Sequence, residues 1–155
     1  MGSCEHGAST NLHITVLTST LYRPTWDSAS GREQFGVRTF QEAPALEAKL
    51  VRCIRGSIFD VVLDLRPESA TYGKWYGAEL SAKNGRTLYL PEHCVHGYQT
   101  LEEETEMYYL ASQFYTPSAV RGVRYDDRAF NIRWPLTAIV VSEQDRNQPC
   151  YRSSI

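Results

Sequence analysis

The sequence has no run of about eighteen consecutive apolar residues, so it encodes no helix able to span a membrane. Its opening stretch, MGSCEHGASTNLHITVLTST, sets no basic cluster ahead of an apolar core and does not read as a secretory leader. No CxxC occurs. The four cysteines, Cys4, Cys53, Cys94 and Cys150, are scattered, which points to free thiols in a reducing cytoplasm rather than to a disulfide framework. A basic excess is missing too. Sixteen Lys and Arg stand against 18 Asp and Glu, for a net charge of −2. That balance excludes non-specific attraction to nucleic acid or to an anionic membrane surface. Lysine is scarce, at three residues against thirteen arginines. Arginine suits bidentate binding of phosphate or carboxylate, although genomic base composition alone produces the same skew.

What is present is an ordinary globular composition. Of 155 residues, 42% are hydrophobic and 22% charged, enough for one domain with a real core and short of two. No repeat, low-complexity tract or linker divides it, so residues 1–155 are expected to form a single domain, with the first ten residues and the last few fraying. Strand signals dominate, at 12–22, 57–66, 86–90, 95–101 and 106–115. In the second of these, Phe59, Val61, Leu63 and Leu65 share one face, and Asp60, Val62, Asp64 and Arg66 the other. That polar face is either a network lining a barrel or a solvated surface. Pro67-Glu-Ser, Lys83-Asn-Gly, Pro91-Glu-His and Pro117-Ser supply turns. Helical periodicity is weak and confined to 42–52. Many short strands with frequent turns predict an all-β sandwich or barrel.

The acidic stretch Leu101–Glu104 reads as a hairpin turn between strands 95–101 and 106–115. A symmetric turn there sets His96 directly across from Tyr109. Tyr115, six residues on, then falls on the same face.

From Lys49 to about Cys150 the chain resembles the dTDP-4-dehydrorhamnose 3,5-epimerase family of the cupin superfamily. The residues that carry the likeness are KLVRCIRGSIFDVVLDLRPESATYGKW, LSAKNGRTLYLPEHCVHGYQTL, YYLASQFYTPSAVRGVRYDD, IRWP and VSEQD, in the family's order and at near-identical spacing. The resemblance implies a cupin jelly-roll β-barrel with short helical segments. It also implies a two-fold homodimer, no metal or other cofactor, and a dTDP-4-keto-6-deoxy sugar as the small-molecule substrate. The chemistry it implies is proton abstraction beside a ketone, with the proton returned on the opposite face. Tyr109 matches the family's acid and Tyr115 the tyrosine that stacks on the nucleotide base. Lys49 and His96 match substrate-binding positions, and Asp145 the aspartate that orients the base.

The base itself is missing. The family's Arg-Gly-Leu-His-x-Gln stretch has its lysine eight residues past the glutamine. Gln41 and Lys49 keep that spacing, which sets Thr39 at the histidine position and Gly36 at the arginine position. An unassisted threonine hydroxyl is no base near neutral pH. The family's N-terminal Asp-x-Arg-Gly-x-Phe-x-Glu stretch has no counterpart, and Val120 replaces a glutamate. The expected catalytic set is therefore Tyr109, Asp145 and His96. The expected substrate-binding set is Lys49, Tyr115, Arg38, Thr39 and Gln41, with Arg38 as the neighbour of the lost arginine.

The bland alternative for each residue is core packing for the tyrosines and His96, a surface position for Lys49, and a turn or cap for Asp145. His93 and His96 form HxxH, but positions three apart face opposite sides of a strand, so no metal site is expected. Three functional readings follow. One is an epimerase in which His96, or a water assisted by Asp145, replaces the base. The second is a repurposed cyclase, dehydratase or isomerase acting on a non-nucleotide small molecule in natural-product biosynthesis. The third is a non-catalytic ligand-binding cupin.

Overall fold

Short alternating strands separated by turn residues build two facing sheets. The computed structural model describes residues 23–29, 35–137, 141, 146–147 and 150–151. The strands are β1 (Arg23–Ala29), β2 (Phe35–Gln41), β3 (Lys49–Arg55), β4 (Ser57–Asp64), β5 (Trp75–Ser81), β6 (Thr87–Leu90), β7 (Cys94–Thr100), β8 (Thr105–Ala111) and β9 (Val120–Gly122). One sheet runs β1-β8-β3-β6 and the other β5-β4-β7-β2-β9. All pairings are antiparallel. The architecture is a jelly-roll β-barrel, as expected. Among the described residues no helix is long and apolar enough to cross a membrane.

Two apolar clusters explain the patterning. Val51, Cys53, Leu90 and Met107 from one sheet meet Ile58, Leu80 and Tyr98 from the other, filling the space between the sheets. Leu63, Leu65 and Val95 pack on the outer face of the larger sheet, under Val123 and Phe130. β4 is thus buried on both faces, and its apolar residues are not confined to one parity. Full burial of a side chain such as Leu63 contributes about 1.5–3 kcal/mol. β7, flanked by β4 and β2, is buried at every position.

Three expectations are corrected. First, 95–101 and 106–115 do not form a hairpin: β7 pairs with β4 and β2, whereas β8 pairs with β1 and β3. Between them the chain crosses from one sheet to the other. Leu101 N donates to Ser57 O at 2.9 Å, and the Thr105 hydroxyl donates to Glu102 O at 2.8 Å. The β3–β4 link crosses at the same place. There Gly56 has φ +69°, and a Cβ on it would lie 2.6 Å from Thr105 Oγ1. Each crossing leaves both strands covering opposite walls of one core, a gain that a local turn model ignores. Second, β8 ends at Ala111, so Tyr115 lies on a loop and shares no strand face with Tyr109. Third, residues 42–52 form a loop and the start of β3, not a helix. Pro44 has no N–H to donate, and pairing with both β6 and β8 outweighs a weak helical period. The expected strand at 12–22 lies outside the described residues.

The polar face of β4 splits in two. Asp60 points into the barrel, while Asp64 closes the following turn. The Asp64 carboxylate accepts from Arg66 N at 3.0 Å, Arg66 Nε at 2.9 Å, Arg66 Nη2 at 2.6 Å, and the hydroxyls of Ser69 and Thr71, each at 2.6 Å. The Arg66 guanidinium, then the two hydroxyls, hold this carboxyl well below the usual carboxylate range against the opposing effect of burial. Cys94 faces Asp64 across the ladder. Burial, and then the Asp64 charge, push its thiol up to about 11, so it is unreactive near neutral pH. Cys53 is likewise a buried free thiol, and Cys150 an exposed one.

Asp64→Asn should destabilise the fold by about 1–3 kcal/mol at neutral pH, because a charge-assisted network loses its acceptor. A carboxyl whose folded pKa is depressed stabilises above its unfolded pKa of about 3.9 and loses that contribution as pH falls further. Urea unfolding of the two proteins should therefore differ by a constant amount above about pH 5, and the gap should begin to shrink below about pH 4 and close only in strong acid. A gap that persists at low pH would show that the carboxylate charge is not what holds the turn.

Candidate active site

Register and alternation line the barrel interior with polar side chains along a continuous arc. On the larger sheet, His96 is directly opposite Val62 on one side and Thr39 on the other. Directly opposed residues have Cβ atoms about 4.5–5.5 Å apart, so Thr39 and His96 share one patch of the inner face. Gln41 follows Thr39 by two and is on that face as well. On the smaller sheet, Tyr109 lies opposite Val51, a core residue, and so faces inward. Lys49 is opposite Ala111, which makes it the diagonal neighbour of Tyr109. His96 and Tyr109 thus look into the same interior from opposite walls, rather than from adjacent strands of one sheet.

His96 is backed by a carboxylate. Its Nε2 is 3.0 Å from Asp60 Oδ2, and Asp60 has no solvent exposure. A carboxylate in its ionised form only accepts hydrogen bonds, so with such a partner Nε2 is the donor of this contact, and a neutral imidazole then has its lone pair on Nδ1. Among the described residues, the second carboxylate oxygen, Oδ1, is buried and has no hydrogen-bond partner. Such an oxygen costs about 1–3 kcal/mol or more, a cost that folds tolerate mainly at functional sites.

A second polar cluster stands at the end of β2 and the start of β3. Lys49 Nζ lies 2.8 Å from Glu47 Oε1, with both side chains largely buried. Glu47 Oε2 in turn accepts from Gln41 Nε2 at 3.2 Å. Gln41, expected to bind substrate, gives its amide to protein groups. Nε2 also donates to Ala45 O at 3.1 Å and Phe114 O at 3.2 Å, and Oε1 accepts from Thr116 N at 2.6 Å. Glu47 went unnoticed in the sequence because the stretch around it reads as weakly helical. Asp60 as the partner of His96 was legible only as part of a face of undecided role.

The remaining expected residues are dispersed. Tyr115 is 67% exposed and its neighbour Phe114 54% exposed, side by side on the loop after β8. Arg38 lies in the irregular stretch of β2 between Gly36 and Thr39. Asp145 lies outside the described residues. His93 has a left-handed backbone, φ 60°, and borders an open groove of about 1000 Å³ that Phe40, Glu42 and Arg121 also line. Phe40 is on the opposite face of β2 from Thr39, so that groove is separate from the barrel interior. Among the described residues, no three His, Cys, Asp or Glu side chains gather as a metal site.

Comparison with known proteins matches residues 27–153 to the family model described as dTDP-4-dehydrorhamnose 3,5-epimerase. A Sinorhizobium fredii protein of that name is 46% identical over 111 residues, 71% of this chain and 57% of the relative. Its Shigella flexneri counterpart is 42% identical over 70% of this chain and 60% of its own length. The chain thus spans less than two thirds of these relatives. Among solved structures, the Bacillus anthracis dTDP-4-dehydrorhamnose 3,5-epimerase with TDP and pyrophosphate bound superposes with a TM-score of 0.85 at 31% identity, covering 87% of this chain and 77% of that one. A 4-keto-6-deoxy sugar epimerase from the novobiocin cluster of Streptomyces spheroides gives a TM-score of 0.81 at 34% identity, covering 85% and 66%. With the family model matched over most of its length, this chain belongs to the dTDP-4-dehydrorhamnose 3,5-epimerase family.

Proposed function

We propose that the protein is a sugar-nucleotide epimerase acting beside the ketone of a dTDP-4-keto-6-deoxy sugar, with His96 as the base and Tyr109 as the acid. The observation that carries this reading is the row shared by Thr39 and His96. The imidazole on that row is one cross-strand pair away from the position where the family has its histidine, and Asp60 fixes its orientation.

In this scheme Nδ1 of His96 takes the proton from the carbon next to the carbonyl. The C–H electron pair forms the enolate double bond, and charge develops on the carbonyl oxygen. The Lys49 ammonium, held in the interior by Glu47, stabilises that charge, so the scheme calls for no metal or redox cofactor. The Tyr109 hydroxyl then gives a proton to the same carbon from the opposite side. The two groups belong to opposite sheets, which is the arrangement inversion requires. The phenolate regains a proton from solvent, the His96 imidazolium releases the one it took, and the net reaction is an isomerisation. Tyr115 and Phe114 offer an exposed aromatic platform for the nucleotide base. A two-fold dimer, as the family resemblance implies, and a cytoplasmic site of action, to which the scattered cysteines point, belong to the same proposal.

Turnover in D2O separates the two roles. Tyr109→Phe should keep solvent exchange at the reacting carbon and lose product formation by about 10²–10⁴-fold; His96→Gln should lose both. Exchange at the wild-type rate in His96→Gln would assign the base elsewhere. Thr39→His should speed exchange by supplying a second imidazole on the same row; no gain would mean that the interior has changed by more than one base. Thermal unfolding with dTDP should show stabilisation of about 2.7 kcal/mol at a hundredfold excess over Kd. No shift at millimolar dTDP would remove sugar nucleotides from the substrate class.

A further inference from the structure

The side-chain amide of Gln41 meets the backbone on both sides of Tyr115. Nε2 donates to the carbonyl of Phe114 at 3.2 Å, and Oε1 accepts the N–H of Thr116 at 2.6 Å. A carbonyl can only accept and a backbone N–H only donate, so the amide has one orientation that satisfies both. The two contacts imitate a strand pair, with a side chain standing in for the neighbouring backbone. Gln41 is 3% exposed, and its strand is fixed between β7 and β9, so the clamp is anchored on the rigid sheet. Glu47 and Ala45 O hold the donor end of the amide, and Lys49 holds Glu47. The clamped segment is otherwise a loop with two exposed aromatic rings and no strand pairing of its own.

We propose that Gln41 is a positioning residue for nucleotide binding. It fixes the backbone that carries Tyr115, so that the ring stands pre-set to stack on the base and does not lose loop freedom on binding. It touches neither the base nor the reacting carbon. The inference rests on the reading of Tyr115 as the stacking residue, and it goes beyond that reading in assigning the cause of the ring's placement. It also ties the two ends of the site together, because the Lys49–Glu47 pair beside the reacting carbon is the support of the amide that clamps the base-stacking loop.

Four proteins test it: wild type, Gln41→Leu, Tyr115→Ala and the double variant, each titrated with dTDP by calorimetry. Stacking is worth about 1–3 kcal/mol per base, so Tyr115→Ala should weaken binding about ten- to a hundredfold. Gln41→Leu should weaken it by a similar factor. The double variant should be no weaker than Tyr115→Ala alone, because both changes remove one interaction. KM for the sugar nucleotide should rise with the loss of affinity, with kcat within a few-fold of wild type. If Gln41→Leu does not fold, the unbranched Gln41→Met serves, since it keeps the side chain's length and loses both the acceptor for Thr116 and the donor to Phe114. In either variant the Thr116 amide should exchange with deuterium faster, while amides of β4 and β7 keep their protection. Wild-type dTDP affinity in Gln41→Leu or Gln41→Met, alongside weakened binding in Tyr115→Ala, overturns the positioning role and leaves the stacking reading intact. Wild-type affinity in Tyr115→Ala overturns the stacking reading and the inference with it. Additive losses in the double variant would show that Gln41 acts on something other than Tyr115.

Discussion

A carboxylate without solvent exposure must be held by a proton donor, and Asp60 meets that demand through one imidazole. Much of the interior depends on this contact. Asp60 is the inward residue of β4 amid apolar neighbours, and His96 is on the next strand of the same sheet. Removing either partner would leave a buried polar group uncompensated, which commonly costs several kcal/mol. The contact also engages Nε2 and leaves Nδ1 as the nitrogen used in the proposed scheme. The same bond that makes Asp60 tolerable therefore makes His96 chemically directional.

Around that pair the two sheets divide the labour. The larger sheet carries His96, Thr39 and Gln41, and the smaller one carries Lys49 and Tyr109. In the proposed scheme a substrate held between the sheets meets the base from one wall and the acid from the other. The crossings at Gly56 and at 101–104 produce this opposition, because each sends consecutive strands to different sheets. Had β7 and β8 formed a hairpin, acid and base would have approached from one side, and a proton removed and returned there would leave the centre unchanged.

The loss of the histidine at position 39 is less disruptive than it looks in a linear reading. Antiparallel pairing makes position 39 and position 96 neighbours, although they are 57 residues apart in the chain. A substitution that empties one can leave the surface patch with an imidazole. Gln41, whose spacing from Lys49 fixes the alignment, is engaged differently from what its motif implied: its amide bonds the Glu47 carboxylate and the backbone of Ala45, Phe114 and Thr116.

The sequence by itself determined the fold class, the family, the positions of β4, β6, β7 and β8 to within a few residues, and the threonine at position 39, because alternation, turn chemistry and motif spacing are local or linear properties. It also put Tyr109, His96 and Lys49 in the candidate site through their motifs. Only the tertiary structure decided which wall each residue occupies, that Asp60 pairs with His96, that Glu47 holds Lys49, and that Tyr115 stands on a loop clamped by Gln41. Those facts depend on which strands pair across the barrel. Strand pairing is fixed by burying one core between two sheets, and no local pattern of side chains records which partner a strand will find.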